Sequence, residues 1–400
     1  MNNFEQPLIP KKAVENKSVE SKKEPSSLGH NETKTERKQE YIETTSQALI
    51  QYLKLKPEEK ILILSDNGSN KEAVSILRET LKMMKNEYRE LKLTPKIQRS
   101  QIQELLKEHT VVLDFSVKTH PITDDLYDED IKQFGCRLVN FVDVGPDMFR
   151  PDGPLAENLE ELQERLNKME AVLKNAVGFR IRTAYGTDLE VGLRYEDRRW
   201  AKDDGVINRP GQWDNLPGGE IYTVPHERRT NGILVLPAVD STILKDQGVD
   251  EFIIIEFKDG LITNIRGGES AKKLRKRLEK NALKEEKAGR DPMNVYRIAE
   301  IGFGANSKAR GRAVAENKPY NLAGTSVVES EKSYGTIHVA IGDSQLGEEG
   351  AEGYISGPGH YDFILPRAGG LEVTMYTSEE DFKKKKNGVT LISLNGINLG

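Results

Sequence analysis

Apolar and polar positions recur with two different periods along this 400-residue chain, and the change of period divides it. Residues 1–38 show neither period. The stretch KKAVENKSVESKKEPSSLGHNETKTERKQE has too few apolar residues to build a core, so a disordered polar tail is expected, with order beginning near Tyr41. Helical spacing over TSQALIQYLKL then leads into the strand-like run KILILSD (60–66). Asn67 and Gly68 mark a turn, and KEAVSILRETLKMMKNEY reads as a second helix. TVVLDFS (110–116) and RLVNFVDVG (137–145) are further strands. Strands alternating with helices predict a mostly parallel sheet covered on both faces, over residues 39–150.

Pro151 to Pro154 make a natural break, followed by helical spacing over 157–176. Beyond it the period shortens. FRIRTAYGTDLEVGLR, EIYTVPHE, NGILVLPAV, FIIIEFKDGLITNIRG, GTIHVAIGD and DFILPRAGGLEVTMYT read as strands joined by glycine-bearing turns, with a hairpin expected at Lys258-Asp259-Gly260. The fold class that follows is mixed α/β: an N-terminal α/β sheet domain, then a larger β-rich α+β domain over 151–400. A charged helix is expected across 269–290. Its basic run is read as a solvated face, since no aromatic side chains are interleaved to stack bases.

Composition narrows the function classes. Charged residues make up 31% of the chain and hydrophobic ones 36%, while the net charge of -5 gives no bulk reason to expect nucleic acid. A single cysteine, Cys136, rules out an intrachain disulfide and a thiolate-rich metal site, and fits a reducing cytoplasm. No apolar run approaches the roughly 18 residues of a spanning helix, and MNNFEQPLIPKK lacks a signal-peptide core, so neither membrane nor secretion is expected. The heavy Lys, Glu and Arg load leans towards a heat-tolerant source.

The candidate chemistry lies in the β-rich half. His360 and Asp362 stand two apart in a strand-like stretch, so both side chains project to one face while Tyr361 faces away. His338 sits among apolar residues in GTIHVAIGD, where a hydrogen-bonded core histidine is the alternative to a ligand. Glu300 in AEIGFGAN and Glu220 in PGGEIYTVP would be costly to bury without a cation or an arginine partner. Glu331, just before the strand of His338, is a weaker candidate of a type more often exposed. Carboxylates mixed with imidazoles suit Zn, Co, Mn or Mg, and five such groups exceed what one catalytic ion ordinarily takes. They would serve two divalent ions about 3.5–4 Å apart. P-loop, zincin and nucleophile-elbow signatures are missing, and GFGANSKARG lacks the third glycine of a dinucleotide fingerprint.

Taken in order, GTDLEVGL (186–193), NLPGGEIYTVP, AEIGFGAN, EKSYGTIHVAIGD and GHYDFIL resemble the motifs of the thermophilic metalloaminopeptidases, the aminopeptidase T or peptidase M29 family. The resemblance covers roughly residues 41–400. It implies an N-terminal α/β domain, a C-terminal domain holding two divalent metals, and a homodimer that removes N-terminal residues from peptides. Carried over by motif, it implies Glu220, Glu300, His338, His360 and Asp362 as metal ligands, with Glu331 as a sixth. Glu300 is the expected acceptor of the proton from a metal-bound water. The basic segment near 270–290 reads as an insertion relative to the family. Gln345 stands where typical peptidases of the family carry a Tyr, seven residues after His338, with Tyr354 as a spatial substitute. That departure leaves open two alternatives to the peptidase: a non-peptidase member of the fold acting as a metal-binding interaction protein, or a hydrolase of another amide or ester.

Overall fold

A computed structural model describes residues 34–117, 126–141, 144–193, 199–238, 241–242, 252–310, 327–344, 359–365, 369–393 and 396–399. Residues 1–33 of the tail expected over 1–38, and Gln345 and Tyr354 of the altered loop, lie outside the described residues.

The first half builds a parallel sheet. Helix α1 (Lys34–Leu53) begins seven residues before Tyr41 and leads to β1 (Ile61–Ser65), α2 (Lys71–Met84), β2 (Tyr88–Lys92), α3 (Arg99–Leu106), β3 (Val111–Asp114), α4 (Ile131–Phe134) and β4 (Arg137–Asn140). Every residue of β1 and β3 is buried, as expected for strands covered on both faces. Helix α2 starts where Asn70 Oδ1 accepts hydrogen bonds from the amides of Glu72 and Ala73. The edge strand β2, with sequence YRELK, is largely solvent-facing; the helix expected before it runs on to Tyr88, whereas α2 ends at Met84.

The second half has two antiparallel sheets. After α5 (Leu159–Leu173) come β5 (Gly178–Arg182), β6 (Asp188–Gly192) and β7 (Ala201–Asp203). The chain then returns to the first sheet, where β8 (Trp213–Asn215) pairs in parallel with β4 and completes the order β2-β1-β3-β4-β8. The remaining elements are β9 (Glu220–Thr223), β10 (Thr230–Pro237), β11 (Phe252–Lys258), β12 (Leu261–Gly267), α6 (Glu269–Lys287), β13 (Ile298–Gly304), α7 (Val327–Lys332), β14 (Ile337–Gly342), β15 (His360–Leu365), β16 (Glu372–Tyr376), α8 (Glu379–Lys384), β17 (Val389–Ser393) and β18 (Gly396–Ile397). One sheet runs β12-β11-β10-β6-β5-β16-β17-β18 and the other β15-β14-β13-β9-β7. The β11–β12 hairpin turns at Asp259 and Gly260, both with positive φ.

One apolar core joins these two sheets. Phe179, Ile181, Leu234 and Ile255 of the larger sheet meet Ile221, Ile301, Phe303, Val339 and Phe363 of the smaller one, with Leu162 and Leu166 of α5 and Leu274 and Leu278 of α6 closing the sides. Among the described residues no helix is long and apolar enough to cross a membrane.

Candidate metal centre

The smaller sheet turns Ile221, Ile301, Phe303, Ile337, Val339 and Ile341 towards the core, so the alternate residues of the same strands face the other way. That second face is polar. Its rows, read across the strands, are Asp203–Glu220–Gly304, then Tyr222–Gly302–His338, then Glu300–Ala340–Asp362, then Gly342–His360. Small residues alternate with large polar ones, which gives the polar side chains room to fold over the sheet. A Cβ on Gly302 would lie 2.1 Å from His338 Nε2, and one on Gly304 would lie 2.1 Å from the Ser333 carbonyl oxygen. The glycines of AEIGFGAN are thus spaced to accept the imidazole and the chain end of α7.

Five of the candidates meet closely. His338 Nε2 lies 2.9 Å from Glu300 Oε1 and 3.4 Å from Glu220 Oε2. His360 Nε2 lies 3.1 Å from Asp362 Oδ1 and 3.7 Å from Glu300 Oε2. Ligand atoms of Glu300, His338 and Asp362 all fall within 4.8 Å of one another, a spacing that could hold a metal ion. His360 and Asp362 share a face, while Tyr361 packs towards the core and its hydroxyl accepts a hydrogen bond from Asn281 Nδ2 at 2.5 Å. Glu331, expected among exposed acids, is buried beside them.

The donor set fits a divalent cation. His360 Nδ1 lies 2.7 Å from the Asp343 carbonyl oxygen, so that nitrogen carries the proton and donates it. A neutral ring then turns a lone pair at Nε2 towards two carboxylates, an arrangement that needs a cation or a second ring proton between them. Among the described residues, buried His338 Nδ1 and Glu220 Oε2 have no hydrogen-bond partner, a further sign of a site completed by something else.

The electrostatics agree. Burial lowers the basicity of both imidazoles, but nearby carboxylates outweigh it. The Glu300 hydrogen bond and the charges of Glu220, Glu300 and Glu331 raise His338 to about 9, and Asp362 and Glu300 hold His360 well above its ordinary value. Burial opposes ionisation of Asp362 too, yet the charge and hydrogen bond of His360 pull its carboxyl below the usual range. Burial pushes Glu331 up to about 8, with Lys332 opposing. Tyr222, desolvated and beside Glu300 and Glu220, is raised and stays a phenol.

Two neighbours had no signal in the sequence. Lys332 is 1% exposed, and its ammonium donates to Asp203 Oδ2 at 2.8 Å and Glu220 Oε1 at 2.5 Å. Burial disfavours that charge, but Asp203, Glu220 and Glu331 hold it protonated. In a chain with this many charged residues, a buried lysine looks like any solvated one. Asp203, at the end of a three-residue edge strand, had no apolar setting to mark it.

Comparison with known proteins decides the family. A family model described as NicX, 2,5-dihydroxypyridine 5,6-dioxygenase, matches residues 41–368, which include every candidate above. The chain belongs to the NicX family. A curated NicX-type relative, the 2,5-dihydroxypyridine 5,6-dioxygenase of Pseudomonas putida KT2440, is 30% identical over 203 residues. That alignment covers 50% of this chain and 53% of the relative, so it spans about half the length of each. The solved structure of 2,5-dihydroxypyridine dioxygenase from Pseudomonas putida KT2440 superposes with a TM-score of 0.60 at 20% identity, over 92% of this chain and 98% of that one. AmpT from Thermus thermophilus superposes with a TM-score of 0.57 at 16% identity, over 90% and 99%. At these identities the two structures establish a shared fold.

The motif resemblance therefore located the fold and not the activity. A NicX-family chain is not expected to be an aminopeptidase, protease or other hydrolase, and the peptide substrate falls with that expectation. The physical reason lies in what the motifs encode. PGGE, AEIGFGAN, GTIH and GHYD shape a polar sheet face able to gather a cation, and such a face serves more than one chemistry. Of the expectations left open, the non-peptidase member of the fold agrees best with the family.

Proposed function

We propose that this chain is a metal-dependent ring-cleaving dioxygenase acting on a hydroxylated pyridine of the 2,5-dihydroxypyridine type. The observation that carries the proposal is the NicX-family match across residues 41–368, since that span contains the whole converged cluster of acids and imidazoles. His338 and His360 would hold the ion through Nε2, with Glu300 and Asp362 supplying oxygens. An imidazole and carboxylate set with open positions suits non-haem iron(II). When bound, such an ion supplies the one-electron chemistry that lets dioxygen react with an aromatic ring.

The chain's own residues would do the rest. Asp343, through its carbonyl oxygen, fixes the tautomer and direction of His360. Glu331 changes protonation near pH 8, so it can exchange a proton with a ring hydroxyl close to neutrality. The Tyr222 phenol, raised beside Glu300, can donate a hydrogen bond to a substrate oxygen. Glu300, the expected proton acceptor, is hydrogen-bonded to His338 and is assigned here to holding the ion.

The test is anaerobic loading with iron(II), addition of 2,5-dihydroxypyridine, and admission of oxygen. Loss of the substrate absorbance with one equivalent of oxygen consumed supports the proposal. Iron-loaded protein that consumes no oxygen with any dihydroxypyridine refutes it.

A further inference from the structure

Lys332 changes the count of cations that this centre needs. Its Nζ has carboxylate oxygens of Asp203 at 2.8 Å, Glu220 at 2.5 Å and Glu331 at 3.5 Å around it. Three acids converging on one point form the kind of oxygen cage that hard divalent ions take. Here the cage surrounds an ammonium. Glu220 faces both ways: Oε1 accepts from Lys332, and Oε2 points at His338 Nε2, 3.4 Å away, without a hydrogen bond. It stands between the ammonium and the Glu300–His338–Asp362 cluster, the place a bridging carboxylate occupies in a two-ion site.

The ammonium is also held in place by backbone. The Lys332 carbonyl accepts from the Asn306 amide at 2.8 Å, and the Tyr334 amide donates to the Asn306 carbonyl at 2.9 Å. These bonds pin the chain on both sides of Ser333 against the segment just after β13. The missing side chain of Gly304 lets that chain lie on the sheet, since the Ser333 and Glu331 carbonyl oxygens would be 2.1 and 2.6 Å from a Cβ there. With the backbone fixed and the side chain 1% exposed, Lys332 cannot swing out to admit an ion without local unfolding.

The geometry points to Lys332 as the resident second cation of the centre: its ammonium fills the Asp203–Glu220–Glu331 cage and leaves one divalent-ion position, at Glu300, His338 and Asp362. This inference rests on the proposed reading of that cluster as a metal site. A divalent ion in the cage would stand within about 3 Å of a fixed positive charge in a desolvated setting, where like charges repel strongly. Removing the charge while keeping the length should convert the cage into a second site.

The experiment counts ions on the full-length protein, stripped with a chelator and loaded anaerobically with manganese(II). The wild type is expected to retain one ion per chain and to give the electron paramagnetic resonance signal of isolated manganese. Lys332→Met is expected to retain two, with a spin-coupled pair and a second ion bound at least 100-fold more tightly than in the wild type. Lys332→Arg is expected to retain one. If Lys332→Met is unfolded when metal-free, manganese beyond one equivalent should restore its folding transition, and failure to do so counts against the cage. A spin-coupled pair in the wild type overturns the inference, and so does a Lys332→Met protein that retains one ion. One ion in both proteins leaves the metal reading standing, whereas none in either removes the metal reading itself.

Discussion

Gly302 stands directly across the β13–β14 ladder from His338, and its missing side chain is the space the imidazole occupies: a Cβ there would fall 2.1 Å from Nε2. Neither partner can yield easily, because His338 is 1% exposed and both strands lie inside the sheet. Gly302→Ala should therefore displace the ring from Glu300 while leaving the fold intact. Overpacking of this kind costs about 1–3 kcal/mol. Misplacing one donor should weaken metal binding by at least ten-fold and, on the proposed function, oxygen consumption with 2,5-dihydroxypyridine by about 100-fold. Metal titration alongside thermal unfolding checks this. A variant with wild-type metal affinity would show that His338 is not held over Gly302 as described.

The metal-free protein should lose stability as pH rises. His338 is raised to about 9 from an ordinary 6.5, so its contribution is complete below pH 6.5 and lost as pH climbs through 9. Glu331 is raised to about 8 from 4.5, and its contribution disappears between those values. Both slopes have the same sign. A bound cation must displace the His338 proton, so metal affinity should rise with pH up to about 9 and then level off. Denaturation midpoints and calorimetric proton release at several pH values test both statements. Pre-loaded protein with the same falling slope would contradict them.

How much of this was legible beforehand depended on burial. The runs ILIL, VVL and LV announced β1, β3 and β4 because strands covered on both faces carry near-continuous apolar runs. The pair His360 and Asp362 announced a shared face through strand period alone. β2 was hidden because an edge strand facing water carries Arg89, Glu90 and Lys92 and so resembles the end of a helix. Strand β8 was hidden because three residues have no period. Lys332 was hidden for a different reason: its role depends on Asp203 and Glu220, which are 129 and 112 residues away in sequence. The activity was hidden for the same kind of reason, since the motifs encode a cation-gathering surface and not the reaction performed on it.

Arg150 and Glu329 should prove to be the main electrostatic tie between the segment after the first sheet and the short helix that delivers Lys332. Arg150 Nη2 donates to Glu329 Oε1 at 3.0 Å, the Arg310 amide donates to the same oxygen at 2.9 Å, and the two side chains are 8% and 0% exposed. Arg150→Met leaves the Glu329 carboxylate desolvated without its guanidinium, which should cost about 3–5 kcal/mol. Adding Glu329→Gln should recover much of that, because no charge is then buried alone. Urea denaturation of the two single variants and the double variant measures the coupling. Additive losses would mean that the pair does not act as a unit.

Cys136 should be chemically silent until the protein unfolds. Its thiol is 1% exposed and donates to the carbonyls of His109 and Leu106 at 3.1 and 3.4 Å, at the foot of β4 where the first sheet packs on α3. Burial pushes it up to about 11 from an ordinary 9, so at neutral pH the nucleophilic thiolate is nearly absent as well as inaccessible. A thiol-reactive dye at pH 8 should label the native chain at the rate of global unfolding and label the denatured chain at once. The raised value also carries a stability slope. The folded state keeps a proton that the unfolded chain releases above pH 9, so stability falls between pH 9 and pH 11, by up to about 3 kcal/mol from this group. Cys136→Ala removes that slope, and because it also removes the buried sulfur it should lower stability at neutral pH by about 1–2 kcal/mol. A Cys136→Ala protein whose stability still falls equally steeply above pH 9 would assign the alkaline slope to other groups.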